Sequence, residues 1–484
     1  MRDHEPIIID KFNGLWNRGE NEVVPQDHFT DCNNIDFIEG GIKTRDGLDT
    51  YRGAANVVRI YNYTTQDGPT LLFLTGNGEI YHSISPSVTH GPILTIEEMT
   101  DFGFVAFAGR AYITPCNGIT GLEDEFVYVY KGDGTVARKA AGGGPISAPT
   151  VTDSGSGNIE AGYHVFGVAF ETDTGFITKV SPLTAVNFTG DNKASVPLEL
   201  GPIGTVARHV VASKAVDPTE YTGNTGGYQL FFIKRVADNV TTSTDVSFFD
   251  AELLEDAWYL LDLLTEIPAS VGLNTYHNRL VSWAEYDNIS LIRLSEPGEP
   301  EAINELSGLI IFPLDGNSIT FVQEYRDVLY AFKETKTKAW NDNSDEPSTW
   351  PMTEIDNGIG CLLHGMATIL DSAGTNIEFL IIANLSGIVL FNGIFRAPEL
   401  SYKIEDLWRS MSESERRNIQ LLNDSIDKRI YANLPERRLL IGDHKNGLDP
   451  KTIRWAKWSF NIETSTIALT ERNRLVIGSS LSVV

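Results

Sequence analysis

The feature that most constrains this chain is the regular return of one unit: an apolar run, a polar turn and a second apolar run, spaced roughly 40 to 50 residues apart. In the N-terminal part the unit occurs twice, at LLFLTGNGEIYHSI (71–84) and from GRAYITP (109–115) into EFVYVYKGDGT (125–135). It returns five times later, at 278–295, 327–341, 378–393, 428–443 and 472–480. Within EFVYVYKGDGT, Phe126, Tyr128 and Tyr130 alternate with Val127 and Val129 before a Gly-Asp-Gly turn, the pattern of a strand entering a tight loop. Hairpins at this period predict four-stranded blades around an axis, and the count gives a β-propeller of about seven blades. Ring closure hides sheet edges, and one N-terminal strand pairing with the last blade would lock the ring.

A chain of 484 residues is too long for one ordinary core unless that core is a closed repeat. The series breaks at AAGGGPISAPTVTDSGSG (140–157), rich in Gly, Ser and Pro. Strands then follow at GYHVFGVAFETDTGFITKVSP (162–182), ARHVVAS (207–213) and GYQLFFIKRV (227–236), and blade-like hairpins resume after EIPAS (266–270). The expected organisation is therefore an N-terminal propeller part at 1–142, an inserted antiparallel β-sandwich at 143–268, and a C-terminal propeller part at 269–484 that closes the ring. One helix is expected over 401–420, where Ile404, Leu407, Trp408 and Met411 fall at helical spacing and pack over a propeller edge.

Charge and cysteine usage exclude several function classes. Sixty-five acidic against 38 basic residues leave a net charge of −27, without the clustered cations that displace counterions from phosphates. Tight DNA binding is disfavoured, whereas an acidic lining would let DNA slide past without sticking. Cys32, Cys116 and Cys361 supply neither a disulfide framework nor a closed zinc site. No stretch reaches the roughly 20 apolar residues of a membrane helix, and the N-terminus carries no signal-peptide pattern, so assembly in a reducing cytoplasm with no membrane span is expected.

Two stretches carry a resemblance. LWNRGENEVVPQDHFTDCNNIDFIEGGIKTRDGL (15–48) holds Asn34, Ile35, Asp36 and Phe37, then Gly40, Gly41, Ile42, Arg45 and Gly47. It reads as a strand, a Gly-Gly turn and a second strand that would begin a first blade. YHNRLVSWAEYDNISLIRLSEPGEPEAI (276–303) opens with His277, Asn278, Arg279 and Leu280 and closes with Ser295, Pro297, Gly298, Pro300 and Glu301. Both resemble the bacteriophage tail nozzle and tail-hub β-propeller proteins, a group that includes the tail tubular protein B-like and packaged-DNA stabilisation protein-like chains. The insertion, including ADNVTTSTDVSFFD (237–250), is similar to the fibronectin type III-like modules of such proteins. The resemblance implies a virion tail subunit in a ring of identical copies, commonly a hexamer. That ring would sit below the portal and a tail adaptor protein, bear a tail fibre or tip protein, and extend the channel through which double-stranded DNA leaves. It implies no enzyme activity.

The residues themselves argue for no catalytic, cofactor-binding or metal site. A sialidase-like glycosidase on the same fold needs paired carboxylates or a tyrosine nucleophile with an arginine clamp. NSDEPSTW (343–350) keeps Asp345 and Trp350 of an Asp-box but has Asn343 for Ser and Pro347 for Gly. The acidic clusters LEDEF (122–126) and DNSDE (342–346) lack calcium-loop spacing. His82, His209, His277 and His364 are scattered and read as hydrogen-bonded structural histidines. Trp340, Trp350, Trp455 and Trp458 invite carbohydrate stacking, and a receptor-binding or glycan-processing propeller on the tail periphery is the alternative. Trp455 and Trp458, three apart, would face opposite sides of one strand.

Overall fold

The computed structural model describes residues 12–479 apart from 20–23, 26, 39–40, 50, 52–55, 66, 255–263, 345, 372–374, 435 and 471–473. Gly40 and Asp345, singled out above, lie outside the described residues.

The chain is an all-β propeller of seven blades with a β-sandwich inserted between the second and third. The inner strands, in order around the axis, are Val57–Thr65, Asp101–Phe107, Ser270–Tyr276, Phe321–Tyr325, Met366–Leu370, Leu421–Asp424 and Thr466–Leu469. From each, the blade meanders outward through antiparallel hairpins. Four strands form blades 1, 2, 4 and 6; blade 3 gains a fifth, blade 5 has three and blade 7 has two among the described residues.

What holds the ring together explains why its strands read as near-continuous apolar runs. Each blade is sandwiched between two others, so both of its faces are buried and both sets of alternating side chains must be apolar. In the second strand of blade 1, Leu72 and Leu74 face blade 2 with Phe102 and Ile113, while Leu71 and Phe73 face blade 7 with Ala468 and Val476. In blade 6, Ile430 and Ala432 pack on blade 5 with Ile381 and Leu390, while Tyr431 packs on blade 7 with Ile467 and Ile477. Between blades 3 and 4, Trp283 and Ile292 meet Val322 and Trp340. The result is a closed circle of apolar layers, completed where blade 7 meets blade 1: the Val57 amide donates to the Ser479 carbonyl at 3.0 Å and the Ile60 amide to Thr466 Oγ1 at 3.3 Å.

The N-terminal stretch does not begin the first blade as expected. It runs along the outer edge of blade 6, where Asn33 pairs in parallel with Lys457 and the Leu15 amide donates to the Trp455 carbonyl at 2.8 Å. Leu15, Cys32 and Phe37 fill the layer between blades 5 and 6. The strap thus covers the rim beside the three-stranded blade 5, and the hairpin Ile35–Ile38 with Gly41–Thr44 stands outside the ring. Blade 1 starts instead at Val57.

The single helix expected over 401–420 is two short ones, α1 (Glu405–Ser410) and α2 (Glu413–Arg417). Ser412 takes extended backbone and caps α2, accepting from the Glu415 amide while the Glu415 carboxylate accepts from the Ser412 amide at 2.7 Å. That capping box restarts the helix and so interrupts it. Ile404, Trp408 and Met411 are buried in the layer between blades 5 and 6, as their spacing predicts, with Leu407 partly buried beside them.

The insertion places a three-stranded sheet (Thr152–Ile159, Asn192–Pro197, Ser243–Val246) against a four-stranded one (Gly162–Thr172, Thr184–Phe188, Thr205–Ala212, Phe231–Val236). Phe166, Phe188, Val196, Val210 and Phe248 form the core between them.

Candidate functional site

Among the described residues, polar side chains from several elements gather under apolar cover at the propeller axis and at the joint between ring and sandwich.

At the axis, the starts of five inner strands bring charged and amide groups together. Arg59 of blade 1 grips Asp101 of blade 2 with two hydrogen bonds, Nε to Oδ1 and Nη2 to Oδ2, both 2.8 Å. His364, before the inner strand of blade 5, places Nε2 2.7 Å from Asp101 Oδ2. Gln420 of blade 6 accepts at Oε1 from Thr466 Oγ1 and the Ile467 amide, both at 3.0 Å, and donates from Nε2 to the Ile467 carbonyl at 2.9 Å. Burial alone would raise the Asp101 pKa, but Arg59 and His364 outweigh it and hold the carboxyl well below its usual range. Burial and the Arg59 charge lower the His364 pKa despite its carboxylate partner. This seal ties blades 1, 2, 5, 6 and 7 across the axis. Beside it lies a cavity of about 320 Å³ lined by residues from all seven inner strands, among them Ile60, Phe104, Leu273, Phe321, Met366 and Leu469.

At the joint, Arg138 of blade 2 is the hub. Its guanidinium donates to Glu301 of blade 3 through Nη1 at 2.8 Å and Nη2 at 2.7 Å, and to Asp173 in a sandwich hairpin through Nε at 2.7 Å. Glu301 also takes the Ala141 amide at 2.7 Å and the Thr174 hydroxyl. Lys131 adds a second cation 2.9 Å from Asp173. Burial works against the charge on Arg138, yet Glu301 and Asp173 raise its pKa further, and the side chains of all three partners are at most 6% exposed. Gly204 makes this approach possible, since a Cβ there would lie 2.1 Å from Arg138 Cδ.

The residues carrying the resemblance are consumed in such joints. Asn34, at φ +55°, accepts the Arg45 Nε–H at 3.0 Å and the Ser459 amide at 2.9 Å, while Arg45 Nη2 reaches the Ser459 carbonyl at 3.0 Å. Asp36 lies between Lys43 and Arg429. Asn278 takes the turn φ of +59° and accepts the Gly298 amide at 2.7 Å; Ser295 accepts the Leu280 amide at 2.8 Å; Glu301 is the joint carboxylate.

The singled-out histidines are each paired. His82 is fully buried between Tyr130 Oη at 2.7 Å and Thr70 Oγ1 at 2.8 Å, and burial lowers it to about 4. His209 bonds Glu171 at 2.7 Å, and His277 bonds Asp342 at 3.0 Å. His277 also lies with Glu324 and Asp327 such that their ligand atoms fall within 4.8 Å of one another, a set with two of its three members exposed. Trp340, Trp350, Trp455 and Trp458 are all buried, so none of the four offers a stacking surface. Trp455 and Trp458 face opposite sides of one strand, each filling a different interblade layer. Pro347 and Trp350 of the degenerate Asp-box are both buried, with the Trp350 ring edge-on to Tyr276 of blade 3. The three cysteines are unpaired and buried, and among the described residues no helix is long and apolar enough to cross a membrane.

No protein-family profile and no curated protein matches this chain. Solved structures with similarity to it include the computationally designed Ika8 protein, with 11% identity over 90% of this chain and 98% of that one at a TM-score of 0.35. BamB from Moraxella catarrhalis shows 11% identity over 89% of this chain and 96% of its own, TM-score 0.34, and the RRP9 WD40 repeats 7% over 89% of each, TM-score 0.32. At these values the propeller assignment rests on the chain's own sheets, interblade layers and closure.

Proposed function

We propose that this chain is a structural, non-enzymatic subunit of a bacteriophage tail, a nozzle or hub propeller that assembles with copies of itself into a ring below the adaptor and extends the DNA channel. The observation that carries this reading is where the two resembling stretches put their side chains. Asn34 and Arg45 stitch the strap to blade 6, and Ser295 and Glu301 fix blade 3 internally and to the sandwich joint. Side chains spent on rigid joints suit a part that transmits load. Among the described residues, the singled-out histidines are paired and the four tryptophans buried, so they do not support the glycan-processing alternative, which needs converging free groups rather than a fold.

In this reading, DNA runs between copies and not through one propeller. A duplex whose major groove alone is about 12 Å wide cannot thread a propeller axis whose cavity is about 320 Å³. The net charge of −27 then belongs on surfaces facing the passing DNA, where like charge keeps it from sticking. The rigid sandwich is the arm available to an adaptor, fibre or tip. Antibodies raised against the purified chain and imaged on intact virions test the reading: decoration at the tail supports it, and virions free of the protein contradict it.

A further inference from the structure

Among the described residues, His277, Glu324 and Asp327 bring one potential ligand atom each within 4.8 Å of one another. Sequence spacing carries no sign of this, because the three come from neighbouring blades. His277 lies in the turn after the inner strand of blade 3, Glu324 near the end of the inner strand of blade 4, and Asp327 in the turn that follows. Tyr276 holds the two turns together. Fully buried, it donates its hydroxyl to the Asp327 carbonyl at 3.0 Å and stacks on the His277 ring, with centroids 4.1 Å apart and planes 14° from parallel. Asp342, just after the third strand of blade 4, places Oδ2 3.0 Å from His277 Nδ1, and its Oδ1 accepts the Ser344 amide at 2.7 Å. A carboxylate on one ring nitrogen is the arrangement that orients a metal-ligating histidine and raises the basicity of its other nitrogen.

The two remaining carboxylates lack a counter-charge. Glu324 and Asp327 side chains form no ion pair or hydrogen bond with any described residue, although they are held close as like charges. The arginines beside them are engaged elsewhere: Arg326 lies over the Tyr325 ring and reaches the Glu378 carbonyl, and Arg279 donates to the Ser295 carbonyl at 2.8 Å. One imidazole with two carboxylates suits a divalent transition ion such as zinc, whereas calcium and magnesium take oxygen ligands. The geometry points to a divalent transition cation bound by His277, Glu324 and Asp327, with Asp342 orienting the imidazole and water completing the shell, so that the ion clips blade 3 to blade 4. This site is independent of the virion reading and stands or falls separately from it.

Zinc chloride titrated into the full chain after chelator treatment, followed by isothermal titration calorimetry, tests it, with calcium chloride as the comparison. The site predicts saturable binding of one zinc per chain, tighter than calcium. Zinc-edge X-ray absorption should show one imidazole among oxygen ligands. His277→Asn and Asp327→Asn suit the left-handed backbone at φ +43° and +62°, and Glu324→Gln keeps the side chain's shape. Asp342→Asn, which removes no ligand, should weaken zinc binding about 10-fold or more, and each of the three ligand variants at least as much. No saturable site, equal affinity for zinc and calcium, an ion shell without imidazole, or zinc binding untouched by Glu324→Gln and Asp327→Asn would each overturn the proposal.

Discussion

Replacing Arg138 by methionine probes the joint that fixes the sandwich to the ring. The substitution keeps most of the apolar stem but removes two hydrogen bonds to Glu301 and one to Asp173, whose side chains are 1% and 5% exposed. Breaking a buried pair from one side strands the other charge, which costs about 3–5 kcal/mol. Asp173 keeps Lys131 and Glu301 keeps the Ala141 amide, which places the expectation at the lower end, near 3 kcal/mol. A local penalty of that size opens the joint about 100-fold more often. Hydrogen-exchange mass spectrometry reads it directly: amides of Arg138–Lys139 and of the hairpin around Asp173 should exchange about 100-fold faster, while blade 6 should change little. Adding Glu301→Gln should recover part of the protection, since the stranded charge is gone. Exchange at the joint within about three-fold of the unmodified chain would refute the assignment of Arg138 as its hub.

Three further outcomes follow from named contacts. His82 is held near 4 against about 6.5 when unfolded, so the unfolded chain protonates first as pH falls and stability drops between about pH 6.5 and 4, then levels; urea unfolding across that range should show His82→Gln losing up to one proton of the slope. Trp455→Ala removes a fully buried indole from the layer shared by blades 5 and 6 and the N-terminal strap, a loss of about 3–5 kcal/mol that should appear in the urea midpoint together with earlier proteolysis of the strap. Ser412→Ala deletes the cap of α2 and should cost about 1 kcal/mol, with faster amide exchange confined to residues 413–417.

Much of the ring was legible in the sequence because closure leaves a local mark. When both faces of a blade are buried, strands such as LLFL and EFLIIA lose their alternation and recur at blade spacing. The opposite facing of Trp455 and Trp458 also followed from strand geometry alone. Placement of the N-terminal strap did not, because a strand-turn-strand pattern carries no information about which edge it will meet, and Asn33 meets Lys457 more than 400 residues later. The break in the helix was written as Ser412-x-x-Glu415, a capping-box signature obscured by the apolar spacing upstream. The Arg138 joint and the axial seal had no sequence signal. Arg138 and Glu301 are 163 residues apart, and His364 and Asp101 are 263 apart.

In the proposed function, copies of this propeller form a ring around the path by which DNA leaves a phage tail. Cryo-electron microscopy of the purified particle containing the chain tests it most directly. The account predicts a closed ring of copies around the tail axis below the adaptor, with each propeller's own axis off the DNA path and acidic residues outnumbering basic ones on the lumen face. A single propeller on a peripheral fibre or spike, or a ring whose lumen is strongly basic, would contradict it.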